Sequence, residues 1–167
     1  MPDLDDLKIK IFADGADLDG IAQMAQNPLI QGFTTNPTLM RKADVRDYRD
    51  FALEVLEIVT DRSVSFEVFS DVFSEMEQQA LEIASWGENV FVKIPVTNTL
   101  GEFSGPLIRQ LSAAGVQVNV TALMTTDQVE QVLACLSDDT KSIIKGAAHS
   151  QISFIIQIIH HTPTSGL

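Results

Sequence analysis

Apolar and polar positions along this 167-residue chain switch repeatedly between two periods. Alternation every second residue marks a half-buried strand; apolar positions three and four apart mark one face of a helix. Residues 9–14 (IKIFAD) read as a strand. Residues 17–26 read as a helix with Leu18, Ile21, Ala22 and Ala25 on one face. GFTTNP (32–37) reads as a short strand ended by Pro37. A helix follows over 45–59, where Tyr48, Phe51, Val55 and Ile58 recur at helical steps. SVSFEVF (63–69) is a strand, followed by a helix with Ser70 as N-cap, a stripe of Phe73, Met76, Ala80 and Ile83, and a stop at Gly87. NVFVKIPV (89–96) is a strand, 103–114 a helix closed by Gly115, and VQVNVTAL (116–123) a strand. A last helix has Thr126 as N-cap and Val129, Val132, Leu133 and Leu136 on one face. ISFIIQII (152–159) fits a strand or a buried helix, which periodicity does not separate. Strand alternating with helix predicts an α/β fold of parallel strands joined by right-handed crossovers.

Composition narrows the partners. Hydrophobic residues make up 45% and charged residues 20%, ordinary for a globular protein with one core. A net charge of −12 disfavours nucleic acid and anionic lipid, though local lysines can still receive a phosphorylated substrate. The single cysteine, Cys135, sits beside a helical apolar stripe and is expected to be buried packing; one cysteine fits a reducing cytoplasm. The start, MPDLDDLK, has no apolar run of the signal-peptide kind, and the apolar run over 152–159 is far shorter than a membrane span of ~20 residues. His160 and His161 are adjacent with no other ligand motif nearby, so a solvated tail is expected rather than a metal site.

The candidate chemistry emerges when the strands are divided by face. Val64, Phe66 and Val68 oppose Ser65 and Glu67. Val90, Val92, Ile94 and Val96 oppose Lys93. Val116, Val118 and Val120 oppose Asn119 and Thr121. Asp14, Asn36, Glu67, Lys93 and Thr121 thus lie one per strand near the C-terminal ends, where parallel barrels carry their catalytic groups. Each also has a plain structural reading: Asp14 as a cap, the Asn36–Pro37 pair as a turn, Lys93 at an edge with its ammonium in water. Their repetition at matching positions favours a site. A lysine held in a crowded interior is driven toward its neutral, nucleophilic form, the basis of Schiff-base catalysis. Glu67 and Asp14 would then serve proton transfer.

TTNPTLM (34–40), VFVKIPVT (90–97) and VNVTALM (118–124), in that order, resemble the transaldolase family, whose members are lysine Schiff-base aldolases on a (β/α)₈ TIM barrel. The resemblance implies no metal or organic cofactor. It implies Lys93 as the Schiff-base lysine, Asp14 as acid/base on the C4 hydroxyl, Glu67 and Thr121 around a catalytic water, and Thr35, Asn36 and Asn119 as substrate-binding residues. It implies transfer of a dihydroxyacetone unit between sugar phosphates in the pentose phosphate pathway. Related fructose-6-phosphate aldolases tend to carry glutamine where this chain has Glu67, so the acid favours the transferase. The aldolase and an inactive sugar-phosphate-binding scaffold are the alternatives.

Beyond residue 144 the resemblance stops. The arginine expected near a substrate phosphate has no counterpart, since no arginine follows Arg109. Eight units at the observed spacing would need about 215 residues. The expectation is therefore an incomplete barrel of five to six units over 1–144 and a divergent segment over 145–167. A shifted reading frame would produce such an ending. A homo-oligomer in which two chains complete each other's sheets would cover the open edges.

Overall fold

The computed structural model describes residues 10–42, 45–147 and 153–158. The elements run β1 (Ile11–Asp14), α1 (Leu18–Ala25), β2 (Ile30–Thr34), α2 (Pro37–Lys42), α3 (Tyr48–Ile58), β3 (Ser63–Glu67), α4 (Phe73–Ala84), β4 (Val90–Pro95), α5 (Gly105–Ala113), β5 (Val118–Leu123), α6 (Thr126–Leu133), β6 (Ser142–Ala147) and β7 (Ser153–Ile158). One sheet holds all seven strands in sequence order. The pairs from β1–β2 to β5–β6 are parallel, and β7 returns antiparallel to β6. Six parallel strands alternating with helices form a curled half-barrel, an incomplete (β/α)₈ barrel. The direction of β7 follows from chain length. Only residues 148–152 separate it from β6, whereas a parallel return takes a dozen or more.

The two strand faces meet different partners. Val64, Phe66, Val90, Val92, Ile94, Val118, Val120 and Ile144 face the helices and are buried against Val55, Met76, Ala80, Ile83, Ile108, Leu111 and Val132. Cys135 is buried in this core, as expected. The opposite face carries its own small cluster of Phe91, Ile143 and Phe12. Gly32 lies under Phe12; a Cβ there would run into the Phe12 ring, so the inner layer closes only around a glycine.

Several boundaries differ from the sequence reading. The second strand ends at Thr34, and a short helix, α2, begins at Pro37, where proline suits the first helical turn. Asn36 therefore lies past the strand: its Oδ1 accepts from the Leu39 amide at 3.0 Å and caps α2. Ser70 is not the N-cap of α4; Val72 is, and the Ser70 hydroxyl accepts from the Val72 amide at 3.0 Å. Thr125, not Thr126, caps α6, in a reciprocal capping box with Gln128. Gly115 closes α5 at φ 84°, a conformation that favours glycine. Within ISFIIQII, Ser153–Ile158 forms strand β7. The residues MPDLDDLK and His160–His161 lie outside the described residues.

The Thr125 box yields a measurable expectation. Thr125→Ala strands the Gln128 amide, whose acceptor is the Thr125 hydroxyl, and should lower stability by about 1 kcal/mol, within the usual range for a lost cap. Urea unfolding would show a lower midpoint at unchanged slope; an unchanged midpoint would mean the box contributes nothing.

Candidate active site

The inner face of the parallel strands is polar toward their C-terminal ends. Register sets it out. Thr34 pairs with Asp14 on one side and Ser65 on the other; Lys93 pairs with Glu67 and Asn119; Thr121 pairs with Pro95. Strands that alternate apolar and polar side chains against a helix layer must turn the polar set inward.

Lys93 is 6% exposed. Its Nζ donates to the Thr35 carbonyl at 2.9 Å and to Glu67 Oε2 at 3.2 Å. The edge-strand reading, with the ammonium in water, is thereby excluded. Two acceptors fix the amine in place, and the carboxylate offers it a proton acceptor. Asn119 is fully buried, with Nδ2 donating to Ser65 Oγ at 3.0 Å. Its Oδ1, like the buried Thr35 hydroxyl, has no hydrogen-bond partner among the described residues. A buried acceptor left so costs about 1–3 kcal/mol, which a donor entering this space would relieve.

Asp14 is exposed at the end of β1, and its Oδ1 accepts from the Thr34 hydroxyl at 2.9 Å. Thr121 is buried at the end of β5. The next residue, Ala122, adopts φ 63°, and the pairing with β6 skips there, so that Leu123 opposes Gly146. A left-handed alanine is strained backbone at the rim of the sheet, and such bulges re-aim neighbouring side chains.

Three groups escaped the sequence reading. Thr34 orients Asp14. Tyr48, read only as part of a helical stripe, donates its hydroxyl to the Glu67 carbonyl at 3.0 Å, edge-on to Phe66, Phe69 and Trp86. Burial pushes this phenol well above its ordinary range, so it remains a donor. Lys145 is half-buried on β6, at the same parity as Ile143, which pairs with Asn119. Asp14, Lys93 and Glu67 all act on it electrostatically, so ionisable groups from β1, β3, β4 and β6 surround one mouth. The alternation Ile143–Lys145 was the available signal. It was hidden because the strand lies where the motif resemblance ends.

A cavity of about 600 Å³ opens at the other end of the strands, beside Arg62, Asn89, Gln117 and Lys141. Arg62, Asn89 and Gln117 are occupied structurally. Arg62 donates to the Ile30 carbonyl at 2.6 Å and to both Asp61 oxygens, while Asn89 donates to the Val59 and Arg62 carbonyls. It clamps the loops that start the strands, and the inner cluster of Phe12, Phe91 and Ile143 stands between it and Lys93 in the strand register. Among the described residues no cluster of three or more His, Cys, Asp or Glu could hold a metal ion, and no helix is long and apolar enough to cross a membrane.

Comparison with known proteins gives the family. Residues 11–157 match the family model described as transaldolase/fructose-6-phosphate aldolase. A probable transaldolase of Dehalococcoides mccartyi is 35% identical over 72% of this chain and 54% of its own length. One from Streptococcus agalactiae is 38% identical over 72% of this chain and 53% of its own. Another, from Nitrosopumilus maritimus, is 29% identical over 92% of this chain and 76% of its own. The chain thus spans about half the length of the first two relatives. With one family model running from β1 into β7 across the strands that carry Asp14, Glu67, Lys93 and Thr121, the chain belongs to the transaldolase/fructose-6-phosphate aldolase family.

Proposed function

We propose that the protein is a transaldolase that moves a dihydroxyacetone unit between sugar phosphates through a Schiff base on Lys93. The observation that carries this reading is the buried Lys93 amine, held 3.2 Å from the Glu67 carboxylate on the inner sheet face. After losing a proton toward Glu67, the amine attacks the ketose C2 carbonyl. The carbinolamine expels water and leaves an iminium. Asp14 takes the proton of the C4 hydroxyl, the C3–C4 bond breaks, and the aldose phosphate leaves. The retained enamine adds to the acceptor aldehyde, and water, held between Glu67 and Thr121, releases the product ketose. Thr35, Asn36 and Asn119 bind the donor's hydroxyls. Asn36 keeps its Nδ2 for this while Oδ1 caps α2, and Asn119 Oδ1 gains a donor. Side chains carry every step, with no metal or organic cofactor. The carboxylate of Glu67 favours transfer over simple aldol cleavage. A role in the pentose phosphate pathway, a cytoplasmic location and a homo-oligomer belong to the same reading.

Borohydride reduction in the presence of fructose 6-phosphate, followed by peptide mapping, tests it. A dihydroxyacetone-sized adduct should be found on Lys93. Its absence under saturating ketose would remove the proposal, and release of free dihydroxyacetone without an acceptor would reassign the reaction to an aldolase.

A further inference from the structure

The inner face presents two lysines in unlike settings. Lys93 is tied to a carbonyl and a carboxylate. Lys145 is half-buried and, among the described residues, has neither a hydrogen-bond partner nor an ion pair. Burial lowers its proton affinity first. The positive charge of Lys93 adds to that, and Asp14 and Glu67 oppose it. Among the described residues, the strands on either side add no charge. β5 brings Asn119 and Thr121, and the β7 sequence SFIIQI has no ionisable residue. A half-buried amine on this face, two residues along β6 from the Ile143 that pairs with Asn119, is deprotonated more readily than a solvated lysine, which favours attack on a carbonyl.

We propose that Lys145 is a second carbonyl-reactive amine in this mouth, one that takes small aldehydes as imines independently of Lys93. The nitrogen lone pair adds to the carbonyl carbon and a nitrogen proton passes to oxygen. The carbinolamine then loses water to give the imine. Cyanoborohydride delivers hydride to the imine carbon and water supplies a proton to nitrogen, leaving a stable secondary amine.

The test is brief treatment of the full chain with glyceraldehyde and cyanoborohydride at neutral pH, with each lysine quantified by peptide mapping. Lys145 should be alkylated severalfold faster than the exposed Lys141, and should stay the faster of the two, by a smaller factor, in Lys93→Ala. The adduct should vanish from that peptide in Lys145→Arg, which keeps the charge without the primary amine. Alkylation of Lys145 no faster than of Lys141, or its loss in a folded Lys93→Ala variant, would overturn the proposal. The readouts are separate: a ketose adduct on Lys93 with an inert Lys145 sinks only this inference, and the reverse pattern sinks only the transaldolase reading.

Discussion

Lys93→Met is expected to abolish sugar-phosphate transfer while leaving the protein folded. Methionine keeps the apolar stem and fills the same channel through the inner face, so the strand pairs β3–β4 and β4–β5 stay intact. What disappears is the nitrogen that forms the covalent intermediate. The rate should fall by about 10⁴-fold or more, the scale on which losing a covalent nucleophile registers, and the Lys93 ketose adduct should vanish. The Thr35 carbonyl and the Glu67 carboxylate each lose a donor. Glu67 keeps a partly exposed side chain, 23% accessible, so water takes over much of that role and the stability change should be modest. The paired measurements are a coupled transfer assay and a circular-dichroism melt. Transfer at the wild-type rate by a folded Lys93→Met protein would end the Schiff-base reading.

Phe66→Ala is expected to be the most damaging single truncation for stability. Phe66 is fully buried on the helix-facing side of β3. Its ring stands edge-on to Tyr48 at 6.0 Å and to Trp86 at 5.7 Å between centroids, a geometry that aromatic quadrupoles favour. Removing the ring forfeits its burial and leaves a cavity that neighbouring rings fill poorly, a loss of about 3–5 kcal/mol. Against a typical total of about 5–15 kcal/mol, that brings a domain close to unfolding. The damage should reach the site, because Tyr48, which packs on this ring, holds the Glu67 carbonyl. Urea unfolding gives the number. Phe66→Leu, which keeps most of the volume, provides the readable variant if the alanine protein does not accumulate. A loss below about 1 kcal/mol for Phe66→Ala would show that the ring cluster is not closely packed.

Much of this was written into the chain. The period-two alternation of VFVKIPV and VQVNVTAL was enough to put Lys93 and Asn119 on one face and the valines on the other, because a strand turns each successive side chain over. The helix stripe Met76, Ala80 and Ile83 is buried as its spacing required. Cap positions were legible only to within a residue or two, since Ser70, Thr125 and Thr126 all suit a helix start and local contacts choose among them. Asn36 was assigned to a strand because TTNP reads as extended up to its proline. That proline instead opens a helix, and the asparagine caps it.

By itself, then, the sequence determined the strand–helix alternation, the split of each strand into an apolar and a polar face, and the order of the motifs. All three are local properties, set by backbone geometry and side-chain type over a few residues. Tertiary structure alone decided which polar groups meet. Glu67 and Lys93 come together through the β3–β4 register, Asn119 and Ser65 across β4, and Asp14, Glu67, Lys93 and Lys145 around one mouth through the curl of the sheet. Register and curl arise from packing residues far apart in the chain, and no local pattern encodes a distance between them.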